Sequence, residues 1–154
     1  KFLSKEELLV KLEVLEKERL AKIKTVAQAK GDDPYYYTVF NSIRSYSLKD
    51  DKETFIAYHE IPDLDSTSVG CSQLKDQPIL LCTYYYGYEQ YDFILELFFL
   101  NTKKHVPLDD CITSREEAFQ VKDGVLKVTC DSARSDRYEP FKGQVLFDLD
   151  GKRL

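Results

Sequence analysis

The sequence predicts an α+β domain: one long N-terminal helix packed on a curved antiparallel β-sheet, either a meander or a small open barrel, stapled by two disulfides. Three observations lead there. Apolar residues recur at helical spacing through the first thirty positions and at a spacing of two from Tyr35 onward. Turn residues rather than helices separate the later apolar runs, which favours hairpins over parallel crossover units. Four cysteines, an even number, are scattered through the β-rich part.

The helix opens at Ser4, with Glu7 at the spacing of a capping box. Leu8, Leu9, Leu12, Leu15, Leu20, Ile23, Val26 and Ala27 then fall on one side, the side expected to meet the sheet. Gly31 can adopt the left-handed cap and Pro34 cannot continue the ladder, so the helix ends there. Val10 and Val14 lie off the stripe and read as solvent-exposed valines, a second contact face being the alternative. The chain is read as one domain, 1–154, with the helix in 1–31 and the β region in 35–154.

Strands are expected in YYYTVF (35–40), TFIAYHEI (54–61), PILLCTYYY (78–86), YDFILELFFL (91–100), GVLKVTC (124–130) and GQVLFDL (143–149). Asp123-Gly124 and Asp150-Gly151 carry the strongest hairpin-turn signal, with Lys152 to Leu154 as a short returning strand. Residues 61–78 read as one long polar connection, the kind of loop that often carries function. In the tyrosine-rich stretch, a loop at 87–90 sets Tyr86 opposite Tyr91 and Cys82 opposite Leu95. One face then holds Leu80, Cys82, Tyr84, Tyr86, Tyr91, Phe93, Leu95, Leu97 and Phe99, a continuous apolar core face. The other holds Leu81, Thr83, Tyr85, Asp92, Ile94, Glu96 and Phe98, and is mixed, so it is either solvent-facing or half covered by the helix. A slip of one residue would exchange the two.

Four cysteines allow three pairings. Cys71 with Cys82 and Cys111 with Cys130 are preferred, because each closes a short loop onto an expected strand. No C-x-x-C pair suggests a metal ribbon or a redox site. Disulfides imply an oxidising compartment. The chain lacks methionine, so a removed leader is expected, and a lipid anchor on that N-terminus is compatible with the sequence. Neither Asn41 nor Asn101 lies in a glycosylation sequon, leaving the bacterial periplasm or the extracellular surface as the simplest location. No apolar run approaches the roughly 18–20 residues of a membrane span.

Charge is uneven. Residues 1–30 hold eight basic and five acidic side chains, whereas the rest hold 14 and 22, a balance of −8 in a chain of −5. Nucleic acid is therefore not an expected partner, and a basic protein is. No nucleophile, Walker or metalloprotease motif occurs. His59 and His105 read as structural or surface residues, the latter in a turn. Neither DLD (63–65) nor DLDGK (148–152) completes a calcium loop, so no metal or cofactor is expected. Tyr85, Tyr88 and Glu89, with Asp63 and Asp65 of the polar connection, remain as partner-binding candidates, since tyrosine offers rigid area and a polar tip. The expectation is an exported, non-catalytic binding protein, an inhibitor or immunity-type protein that blocks a cationic enzyme or toxin. The alternatives are a carrier or sensor for a small apolar ligand held between helix and sheet, and a structural subunit of an envelope assembly.

Overall fold

A computed structural model of the chain describes residues 2–58, 68–86, 92–108, 111, 116–130 and 143–154. A single long helix, α1 (Lys5–Lys30), precedes β1 (Tyr35–Val39), β2 (Ser42–Ser47), β3 (Lys52–Tyr58), β4 (Ser68–Gln73), β5 (Ile79–Tyr86), β6 (Asp92–Phe99), β7 (Lys104–Pro107), β8 (Phe119–Lys122), β9 (Val125–Cys130) and β10 (Gly143–Asp148). The strands form three antiparallel sheets, ordered β1-β2-β3, β4-β5-β6-β7 and β10-β9-β8. The α+β class is as the sequence predicts. Among the described residues the sheets do not close into a barrel.

By internal contacts the chain divides into two compact units. One comprises Lys1–Tyr36 and Arg44–Phe55, the other Tyr37–Ile43 and Ile56–Leu154. The first contains the helix and most of β2 and β3. Within it, the Asp33 carboxylate accepts the backbone N–H groups of Leu48 and Lys49 at 3.1 and 3.3 Å, fixing the turn after β2.

The core of the second unit gathers Leu74, Ile79, Leu97, Phe99, Leu108, Leu126, Val128, Val145 and Phe147 together with the Cys111–Cys130 disulfide. Both expected disulfides are present. Cys71 and Cys82 occupy directly paired positions of β4 and β5, with Cα atoms 4.1 Å apart. Strand β4 lies inside the segment expected to be a loop. Its polar sequence SVGCSQ hides the strand from a hydrophobicity pattern, yet β5 supplies the ladder partners.

The β5–β6 register differs by one residue from the expected one. Cys82 pairs with Glu96 rather than Leu95, and Tyr86 with Asp92, so five residues and not four connect the strands. Leu80, Cys82, Glu96 and Phe98 therefore share one face, and Ile79, Leu81, Leu97 and Phe99 the other. Glu96, on the face expected to be either solvent-facing or half covered by the helix, is only 3 % exposed.

Both Asp-Gly pairs reverse the chain, but only the first has positive φ at both of its residues. Asp123 and Gly124 take φ of 52° and 74°, the left-handed pair of a type I′ turn. At the second, the Asp148 N–H donates to the Lys152 carbonyl and Leu154 N–H to Leu146, both at 2.9 Å, so the final residues do return along β10. The backbone N–H of Lys152, aided by that of Asp150, holds the Asp148 carboxyl below its usual range.

Gly151 sits at φ 87°, and a Cβ there would lie 2.7 Å from Cδ2 of the buried Phe99 ring. Gly124 has a similar φ but open space around it. We expect Gly151→Ala to cost about 2–4 kcal/mol, backbone strain plus overpacking, and Gly124→Ala only about 1 kcal/mol. Urea denaturation of the two variants measures the difference. Replacing both Cys111 and Cys130 by Ala should cost about 3 kcal/mol, since the bridge closes a loop with a separation of 19 residues. The same titration, run without reductant, reads it.

Candidate functional site

The N-terminal helix is secured at both ends by its own residues. Ser4 N–H donates to Glu7 Oε2 at 3.3 Å and Glu7 N–H to Ser4 Oγ at 3.2 Å, a complete capping box. Gly31, at φ 69°, donates its N–H to the Ala27 carbonyl at 3.0 Å. Between these caps the two halves of the helix have different surroundings.

The C-terminal half is tied to β2 and β3. Glu53 on β3 accepts Nη2 of Arg19 and Nη1 of Arg44, each at 2.7 Å, while Arg19 also grips Glu16 at 2.5 Å. The bond from Arg19 lowers the Glu16 pKa. The Tyr46 hydroxyl donates to Asp51, and Lys24 reaches the same carboxylate at 3.3 Å. The Tyr46 bond, then the Lys24 ammonium, lowers the Asp51 pKa, and the same bond to Asp51 raises that of Tyr46. Leu20 and Ile23 are half-buried, and Ala27 is fully buried.

The N-terminal half is uncovered. Leu8, Leu9, Leu12 and Leu15 are 46–57 % exposed, and Val10 and Val14 are 61 % and 50 % exposed. The expected burial of the whole stripe thus holds only for Leu20, Ile23 and Ala27, with Val26 itself 40 % exposed. Length supplies the reason. A helix of 26 residues runs about 39 Å, whereas strands of six and seven residues run about 20–23 Å. The sheet cannot follow the helix to its start.

A second feature lies on β6 and β7. His105 is not a surface turn residue as expected. It belongs to β7, is half-buried, and places Nδ1 2.5 Å from Oε1 of the buried Glu96. Its ring packs against that of Phe98 at a tilt of 53°, with centroids 4.6 Å apart. A cavity of about 210 Å³ adjoins it, lined by Lys104, His105, Val106, Pro107, Leu108, Val145, Phe147, Gly151 and Arg153. The Lys104 ammonium donates to the Gly151 carbonyl at 2.8 Å across this cavity's wall. A sequence signal for the pair existed: a lone glutamate inside the apolar run FILELFFL needs a polar partner if the strand is central.

Of the partner-binding candidates, Tyr85 lies in β5, paired with Ser68 and Phe93. Asp63, Asp65, Tyr88 and Glu89 lie outside the described residues, as does His59. Among the described residues no helix is long and apolar enough to cross a membrane, and no three or more His, Cys, Asp or Glu side chains gather as metal ligands. Comparison with known protein families, curated proteins and solved structures yields no match to the chain.

His105→Ala removes the imidazole from beside the buried Glu96 side chain and should cost about 1–3 kcal/mol, the range for leaving a buried polar group without its partner. Glu96→Leu combined with His105→Phe should recover most of that loss, because neither partner is then left polar and buried. Denaturation of Glu96→Leu, of His105→Phe and of the double variant gives the coupling. A coupling near zero would mean that the two groups act separately.

Proposed function

We propose that the chain is an exported, non-catalytic binding protein that works by docking on other proteins, with a cationic enzyme or toxin that it blocks as its partner. The observation that carries this reading is the uncovered half of α1. Leu8, Leu12 and Leu15 emerge on one side of the helix and Val10 and Val14 near the other, all at least 46 % exposed. Exposed apolar residues in this number on a helix that is already capped mark an interaction site.

Charge supports the choice of partner. The excess of acidic over basic groups lies entirely beyond residue 30 and attracts a basic surface over long range. The two disulfides suit a protein that operates outside a reducing cytoplasm, in the bacterial envelope or beyond it.

The test is affinity capture of basic proteins on the immobilised chain at low ionic strength, followed by assay of the captured enzyme. We expect one-to-one binding that abolishes the partner's activity and weakens at high salt. Val10→Lys with Val14→Lys should weaken it through the helix, and Asp65→Lys or Tyr88→Ala through the β region. Binding indifferent to salt and to all four changes would remove both the partner class and the assigned surfaces.

A further inference from the structure

The uncovered half of α1 has two sides, and only one has the pattern of a helix–helix seam. Leu8, Leu12 and Leu15 follow one another at spacings of four and three, which are d, a and d of a heptad. At about 100° per residue they fall within about 60° of one another. Each is about half exposed, and they form one line along the helix. In this register Lys11 is g and Glu16 is e, one on each flank of the line. Val10 and Val14 take positions f and c, away from it.

We infer that this seam binds a second copy of the chain as a parallel, two-fold pair of helices. The argument is charge complementarity. In a parallel pair, a g residue meets the e residue five positions later on the partner helix. Here that contact is Lys11 against Glu16, opposite in sign, and two-fold symmetry forms it twice. Glu16 is already oriented, with Arg19 Nε at 3.1 Å from Oε2 and Nη2 at 2.5 Å from Oε1. A carboxylate keeps lone pairs for a further donor. The next a position is Arg19, which Glu53 draws toward β3, so the seam ends where the helix meets its own sheet.

Three leucine layers are fewer than a free-standing coiled coil needs. What offsets the short length is that the helix is formed beforehand. The capping box fixes its start and the C-terminal half is docked, so association does not carry the cost of helix nucleation. The inference deepens the proposed function by giving one helix face its occupant. It leaves Val10, Val14 and the acidic β region for the cationic partner.

Sedimentation of the full chain over a wide concentration range tests it. The expected result is a reversible monomer–dimer equilibrium whose dissociation constant rises at least about tenfold in Leu12→Lys, a loss of about 1.4 kcal/mol. Val10→Lys, on the opposite side, should leave it unchanged. Lys11→Glu and Glu16→Lys should each favour monomers, and an equimolar mixture of those two variants should dimerise again. The mixture separates interhelical pairing from a local disturbance at Arg19, which mixing cannot repair. A chain that stays monomeric throughout overturns the inference. So does a dimer that ignores Leu12→Lys, or one that is dissociated by Glu18→Lys and not by Glu16→Lys, as an antiparallel pair would be. An unsubstituted chain that stays monomeric yet binds and blocks the basic enzyme would sink the seam and leave the proposed function standing. The converse result would do the reverse.

Discussion

The pairing of β5 with β6 governs the second unit, because its base is buried on both faces. Ile79, Leu97 and Phe99 enter the core on one side, while Leu80, Cys82, Glu96 and Phe98 are sealed on the other. With both faces buried, a one-residue slip exposes no apolar set, so the register is specified by particular contacts, the Cys82 bridge to Cys71 and the Glu96 pair with His105. From it follow the place of β4, joined through Cys71 to Cys82, and the seat of His105 against Glu96. The C-terminal turn follows as well, since Gly151 is the residue that lets the backbone pass close to Phe99.

The parts of this fold that were legible in the sequence are those specified locally. Ser4 and Glu7, the Asp123-Gly124 and Asp150-Gly151 turns and the end of α1 at Gly31 each depend on a few neighbouring residues. The cysteine pairing was also legible, since both bridges close short loops onto strands. Strands β2, β4, β7 and β8 were not, because SIRSYS, SVGCSQ, KHVP and FQVK owe their conformation to ladder partners and not to an apolar alternation of their own.

The register error has a related origin. A pattern with one apolar face and one mixed face invites the assumption that the mixed face meets water. A four-residue connection at 87–90 places Glu96 on that mixed face. In the structure the glutamate is buried and His105 lies against it, so the cue of polarity points the wrong way. The site was harder to read for the same reason. The tyrosines attract attention by composition, whereas the exposure of Leu8, Leu12 and Leu15 depends on where the sheet ends, a tertiary fact that no helical wheel contains.

That mismatch of lengths is what gives the helix two roles. Over Arg19 to Ala27 it is a structural element, held by Glu53 and Asp51 and packed through Leu20, Ile23 and Ala27. Over the turns before Arg19 it keeps its helical geometry without a covering layer. An isolated segment of that length would be largely unfolded in water, since nucleation outweighs the few bonds gained. Continuity with the docked half removes the nucleation step, and the capping box supplies donors' partners at the open end. The leucines are consequently presented in a fixed array whose ordering cost was met when the chain folded. A partner that reads the array gains the apolar burial without that cost, which is how a short apolar segment becomes a usable binding surface.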